Sequence, residues 1–214
     1  MKLAPEGNII IYPLSFCWVV CIIFSSVYNS DGLYIFLTVL SILLIFCINF
    51  FRDPNRIIPK QENYVLSPAD GKIIKIIEFD DPETGEKFKM ASIFLSVFNV
   101  HINRMPIKGK FIKVNYVKGE FLAAFDHEAS DKNERMEIDI ESKFGIIKVK
   151  QIAGLIARRI LCYAKEGDKM PVGGRLGFIR FGSRTDIILP ASINLDIKLN
   201  QKVIGGETII GVYE

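Results

Sequence analysis

The chain has 214 residues, 50% of them hydrophobic and 24% charged, with a formal net charge of +3 and a mean hydropathy of +0.27. A positive mean hydropathy is unusual for a soluble domain, so the apolar excess has to be concentrated somewhere. From Ile57 onward, 24 Lys and Arg face 21 Asp and Glu. That balance excludes the concentrated basic surface of a nucleic-acid binder, and the apolar content excludes a disordered chain.

The excess lies at the start. Ile9 to Tyr28 is uncharged and about as long as a helix needs to be to cross a bilayer, and Leu33 to Phe51 is a second such run. Asn29-Ser-Asp-Gly32 between them has turn composition, so the two spans predict a helical hairpin that returns both ends to one side. Lys2 precedes the first span, Arg52 and Arg56 follow the second, and the turn carries no basic residue. The positive-inside rule therefore predicts that both ends, and everything after them, face the cytoplasm at the cell (inner) membrane. A cleaved signal peptide would need a small-residue cleavage site after a short apolar core, and no good one stands out. A buried helical pair in a globular fold is a further reading, but an uncharged run of this length suits lipid better. The predicted organisation is an anchor over 1–51, with helices at about 9–28 and 33–51, and one domain over 52–214 large enough to bury a core.

Cys17, Cys21 and Cys47 fall in the spans, leaving Cys162 without a partner for an internal disulfide. His101 and His127 are the only histidines, no metal-ligand spacing occurs, and no metal is expected. The domain reads as strands over 71–78, 87–97, 109–117, 136–140, 146–152 and 185–189, rich in Ile, Val and Phe and separated by Gly, Pro, Asp and Asn clusters. Residues 154–163 have an apolar spacing that suits a short helix or a strand. The expected fold is mainly β, with one or two short helices, behind a transmembrane helical hairpin. Val117-Lys-Gly-Glu120, Lys165-Glu-Gly-Asp168 and Val203-Ile-Gly-Gly-Glu207 each place glycine before an acid, as a tight turn opening a strand does. With Ser67-Pro-Ala-Asp-Gly-Lys72 they resemble the turns of barrel-sandwich domains that carry biotin or lipoate. Lys72 is the only loose candidate for such a carrier lysine, and it opens a strand.

The densest glycine cluster is Gly173-Gly-Arg-Leu-Gly-Phe-Ile-Arg-Phe-Gly-Ser-Arg184. It lacks the Gly-Lys-Ser/Thr of a phosphate-binding loop and the spacing of a dinucleotide fingerprint. Phe181-Gly-Ser-Arg-Thr185 is also not the Gly-x-Ser-x-Gly of a hydrolase elbow. The cluster alone leaves a bent strand and a phosphate cradle both open.

Six motifs occur in order along the chain. They are Phe50-Phe-Arg-Asp-Pro-Asn-Arg56, Ser67-Pro-Ala-Asp-Gly-Lys72, Phe94-Leu-Ser96, Asn99-Val-His-Ile-Asn-Arg-Met-Pro106, Asn133-Glu-Arg135 and Arg180-Phe-Gly-Ser-Arg184. From about Phe50 to the C-terminus, this set resembles the phosphatidylserine decarboxylase family in its short bacterial and archaeal branch. The resemblance implies a self-processing enzyme cut between Gly182 and Ser183 into chains 1–182 and 183–214, which stay together as a heterodimer. Ser183 would become a pyruvoyl group that forms a Schiff base with phosphatidylserine and releases phosphatidylethanolamine and CO2, without pyridoxal phosphate or a metal. It further implies His101 as general acid/base and Asp70 as support for self-cleavage. Where the longer branch has a second histidine this chain has Arg104, which cannot act as a base at neutral pH. Arg104, Arg180 and Arg184 are candidates for holding the substrate phosphate or carboxylate, while His127 reads as a surface residue. Two rivals remain: a membrane-anchored serine hydrolase using Ser183 and a histidine, and a non-catalytic membrane-tethered barrel-sandwich adaptor.

Overall fold

The structure, a computed structural model, describes residues 2–81, 85–123, 132–155, 159–180 and 183–213. Gly182 and His127 therefore lie outside the described residues, as do 156–158 of the segment read as helix or strand. The chain divides into two compact units, Met1–Asn55 and Arg56–Glu214.

In the first unit, α1 (Asn8–Val27) and α2 (Asp31–Phe50) follow one another after a three-residue link. Trp18 Nε1 donates to Ser41 Oγ at 2.8 Å and ties the two helices together. Flanking them, β1 (Lys2–Leu3) pairs antiparallel with β2 (Arg52–Asp53), and Ala4 N donates to Phe51 O at 2.7 Å. The pairing closes the hairpin, so the basic Lys2 and Arg52 stand at the same end. Both helices are long and apolar enough to cross a membrane, and only 17% of each apolar window is buried. A core helix of a soluble fold would bury its apolar face, whereas here Phe16, Ile35 and Ile45 are exposed.

The second unit is built from fourteen strands among the described residues: β3 (Tyr64–Leu66), β4 (Gly71–Asp80), β5 (Lys87–Leu95), β6 (Ile102–Arg104), β7 (Gly109–Val117), β8 (Arg135–Ser142), β9 (Gly145–Ala153), β10 (Ile160–Cys162), β11 (Lys169–Met170), β12 (Arg175–Ile179), β13 (Ser183–Pro190), β14 (Asn194–Leu195), β15 (Lys202–Val203) and β16 (Ile209–Val212). Eight of them form one curled antiparallel sheet, a half-barrel in the order β11-β7-β8-β9-β13-β5-β4-β15. Two three-stranded sheets, β10-β12-β6 and β14-β16-β3, complete the unit. The fold is mainly β behind two N-terminal apolar helices, as the sequence predicts. Of the segment 154–163, Ile160–Cys162 is strand, paired with β12.

Alternation places Ile93 and Leu95 of β5, Ile147 and Val149 of β9, and Ile187 and Leu189 of β13 in one core. Each such side chain, buried from water, contributes about 1.5–3 kcal/mol before entropy is counted. Two strands change face partway along. In β4 the pairing passes from Ile73↔Ile93 to Lys75↔Ser92, and in β7 from Phe111↔Ile140 to Lys113↔Asp139. Ile74 and Ile112 are the extra residues of these bulges, which bend the sheet edges and increase the local twist.

Candidate active site

β13 lies between β5 and β9, and Ser183 is its first residue, opposite Leu95 on one side and Ala153 on the other. Ser183, Thr185, Ile187 and Leu189 share the core face, while Arg184, Asp186 and Ile188 share the other. Ser183 is fully buried, and its Oγ has no hydrogen-bond partner among the described residues. Leaving a buried hydroxyl unpaired costs about 1–3 kcal/mol, so this atom calls for a purpose.

Two short routes bring His101 to the same end of the fold. Leu95, opposite Ser183, leads into a turn in which Asn99 Oδ1 accepts from Ser96 N (2.9 Å) and Ser96 Oγ (2.7 Å). His101 follows immediately, and its carbonyl accepts from Ile179 N (3.2 Å), four residues before Ser183. The imidazole is fully buried, with Nδ1 2.9 Å from Asn99 O. A carbonyl only accepts, so the proton of the neutral ring sits on Nδ1 and the lone pair on Nε2. The turn thereby prepares Nε2 as a base.

Beneath this pair lies a polar layer that the sequence reading did not single out. Asn103 Nδ2 donates to Thr185 Oγ1 at 2.9 Å, and Gln151 Nε2 donates to Asn103 Oδ1 at 2.7 Å. All three residues are fully buried. Thr185 stands two residues beyond Ser183 in β13, so strand alternation aims both to a common side, and Asn103 stands two residues beyond His101. Gly177 makes room for this layer: a Cβ there would meet Leu161 O and Gln151 Nε2. The signal was present in the sequence as polar residues at inward positions, with Gln151 continuing the series Ile147 and Val149.

Asn133 braces the other flank of Ser183. Its Nδ2 donates to Ala153 O and Leu122 O (both 2.8 Å), and its Oδ1 accepts from Leu122 N (2.9 Å). Phe121 and Ile160 pack there on Ala153 and Ile179. Cys162, in β10, is a poor rival nucleophile, because burial pushes its thiol up and the Ala164 N–H offsets only part of that.

The remaining predicted residues lie in two other settings. Asp70 is not joined to Ser183 or His101 by any hydrogen bond among the described residues. Its two oxygens accept from Arg56 Nη2 at 2.7 and 2.9 Å, and Oδ1 also accepts from Gly205 N at 2.8 Å. Arg104 is nearly buried, with Nη1 3.2 Å from Gly173 O and its chain against Gly206, whose φ of +78° favours glycine. Arg180 lies on the link between β12 and β13, its N–H 3.2 Å from Arg159 O. Arg184 turns to the face of β13 opposite Ser183, where Nε meets Asp186 Oδ1 at 2.7 Å and Nη2 meets Ser92 Oγ at 2.6 Å. Among the described residues there is no group of His, Cys, Asp and Glu that could hold a metal ion.

A buried hydroxyl at the same end of the fold as a prepared base, with a polar layer close by, suits attack on an adjacent carbonyl. Comparison with known proteins sharpens this. Residues 43–211 match the family described as phosphatidylserine decarboxylase. The chain is 46% identical over 182 residues to the phosphatidylserine decarboxylase proenzyme of Geobacter sp. strain M21, covering 85% of this chain and 83% of that one. It is 41% identical over 212 residues to the protein of the same name from Chlorobaculum tepidum, covering 99% and 98%.

Proposed function

The chain belongs to the phosphatidylserine decarboxylase family, and from that premise we propose that it decarboxylates phosphatidylserine to phosphatidylethanolamine through a pyruvoyl group made from its own Ser183. The observation that carries this reading is the buried Ser183 Oγ at the head of β13, without a hydrogen-bond partner among the described residues.

In the proposed processing step, Ser183 Oγ attacks the Gly182 carbonyl carbon and the C–N bond breaks, so the amide becomes an ester and the Ser183 amine is freed. His101 Nε2 takes the hydroxyl proton, the role for which its Nδ1 contact with Asn99 O prepares it. Loss of the Ser183 α-proton then expels the carboxylate of Gly182, leaving dehydroalanine at the head of chain 183–214. Its enamine tautomerises and hydrolyses, consuming water and releasing ammonia. The hydroxyl fits this role because, among the described residues, no competing hydrogen bond holds it back from the carbonyl. The word proenzyme in the relatives' names accords with such processing.

A pyruvoyl group supplies a ketone that condenses with the substrate amine and accepts the electron pair as CO2 departs. For the reaction itself, His101 holds or delivers a proton at Nε2. Arg180, on the link just before the cut, is proposed to meet the phosphate or carboxylate, with Arg104 as its alternative. Arg184, tied to Asp186 and Ser92, instead positions β13. Asp70 supports self-cleavage by fixing the Gly205–Gly206 turn that follows β13 and β15. The two apolar helices and the basic residues flanking them support a setting at the inner membrane with the domain on the cytoplasmic side, where a lipid headgroup is met without extraction of its acyl chains.

Intact-mass spectrometry of the purified protein tests the proposal. Wild-type protein gives two masses, the shorter blocked at its N-terminus and reactive toward borohydride. Ser183→Ala gives one mass and no decarboxylation. Wild-type protein recovered as one uncut chain overturns the reading, in favour of a hydrolase if it labels with a serine-directed phosphonate and of an adaptor if it neither labels nor turns over lipid.

A further inference from the structure

A groove of about 1120 Å³ opens on the second unit, and it includes neither Ser183 nor His101. Its floor is apolar, with Ile58, Ile107, Phe144, Met170 and Val172, and five lysines line it, Lys60, Lys108, Lys110, Lys143 and Lys169, against Glu62 and Glu141. It lies at the other end of β6 and β12 from Ser183, since Ile107 follows Arg104 and Val172 precedes Arg175.

The charges are not all arranged for stability. Lys110 stands directly opposite Glu141 in the β7–β8 ladder but opposite Lys169 in the β11–β7 ladder, and the second is a like-charge pair that costs the sheet free energy. Glu62 is taken up by Lys143 at 2.6 Å, which with Lys108 holds its carboxyl below the usual range. Among the described residues Lys60, Lys110 and Lys169 have no ion-pair partner. An anion placed over the β11–β7 edge relieves this repulsion, and an apolar tail covers the trough below it.

We propose that the groove binds an anionic glycerophospholipid of the surrounding bilayer, with the phosphate over Lys108, Lys110 and Lys169 and an acyl chain along Ile58, Ile107 and Met170. The wall from Ile58 begins eight residues after α2 ends, a tether of at most about 28 Å in full extension. Each lysine near an anionic membrane surface favours association. A second copy of the chain docked by two-fold symmetry would instead bring lysines against lysines. The inference rests on the membrane setting proposed above and not on the chemistry at Ser183. Self-cleavage of each variant, read by intact mass, therefore separates failure of the groove from failure of the catalytic reading.

The full-length protein in detergent is titrated with phosphatidylglycerol and, separately, with phosphatidylcholine, and bound lipid is counted by native mass spectrometry. Wild-type protein retains phosphatidylglycerol in preference to phosphatidylcholine, and a diazirine-tailed phosphatidylglycerol labels residues of 58–64, 107–110 or 169–172. Lys169→Glu with Lys108→Glu weakens that retention about tenfold or more. Lys169→Glu alone leaves the melting temperature unchanged or raised, because it turns a repulsive pair into an attractive one. Equal retention of the two lipids, unaltered retention by the charge-reversed variant, labelling elsewhere, or capture of a second copy in place of lipid overturns the proposal.

Discussion

Ser183 and His101 divide the proposed work in a way that substitutions can separate. With Ser183 intact, His101→Gln keeps much of the ring's volume and hydrogen bonding but removes the base. Decarboxylation is expected to fall by about 10²-fold or more, the usual worth of a positioned acid or base, as measured on protein that has already been cut. If Nε2 also takes the Ser183 proton, the half-time for conversion of freshly made precursor lengthens as well. Full decarboxylase activity in this variant removes His101 from the mechanism. Asp70 belongs to a different cluster, bound to Arg56 and to Gly205 N. Asp70→Asn leaves a largely buried guanidinium with a weaker acceptor, and a stability loss of about 1–3 kcal/mol is expected. Arg56→Gln in the same background should restore part of that loss, because the stranded charge is gone. A thermal-unfolding double-mutant cycle without coupling contradicts the clamp.

β12 and the turn after β5 carry the site between them, and the site tolerates little change in their separation. At Gly177, in β12, the backbone runs against Leu161 O of β10 and the amide of Gln151. Gly177→Ala forces those neighbours apart and loosens the Gln151–Asn103–Thr185 layer. A loss of about 1–3 kcal/mol is expected, as for other overpacked sites, together with slower self-cleavage at unchanged Ser183 and His101. Thermal melts and timed intact-mass spectra of the variant check both parts. The glycine-rich cluster that attracts attention in the sequence is therefore explained at this position by close approach, with no phosphate cradle required.

The way the C-terminal segment is woven into the second unit sets the fate of the proposed products. β13 pairs along eight residues with β5 and six with β9, while β15 pairs with β4 and β16 with β3. Chain 183–214 thus contributes the middle and one edge of the large sheet and two of the three strands of another. Cutting before Ser183 removes one peptide bond and none of these ladders. The two chains are expected to co-elute on size exclusion under native conditions and to part only through the unfolding transition. Their separation in mild buffer would contradict this topology.

Much of this was legible along the chain. An uncharged run of about 20 residues has few stable settings, so the two apolar helices followed from composition. The β-rich domain followed from short apolar runs broken by turn residues, and the ordered motifs are what propose Ser183, His101 and Asp70 as site residues. The parts that stayed hidden depend on distance in space. In Lys72-Ile-Ile-Lys-Ile-Ile-Glu78 no single alternation identifies the inward residues, because a bulge at Ile74 switches the face halfway. The sequence could not show that Asp70 is held by Arg56, that Arg184 points away from Ser183, or that Gln151 and Asn103 meet across 48 positions. Motif and hydropathy are local properties and can be read residue by residue. Which buried polar groups find partners depends on strand order and register, and only the folded sheet decides those.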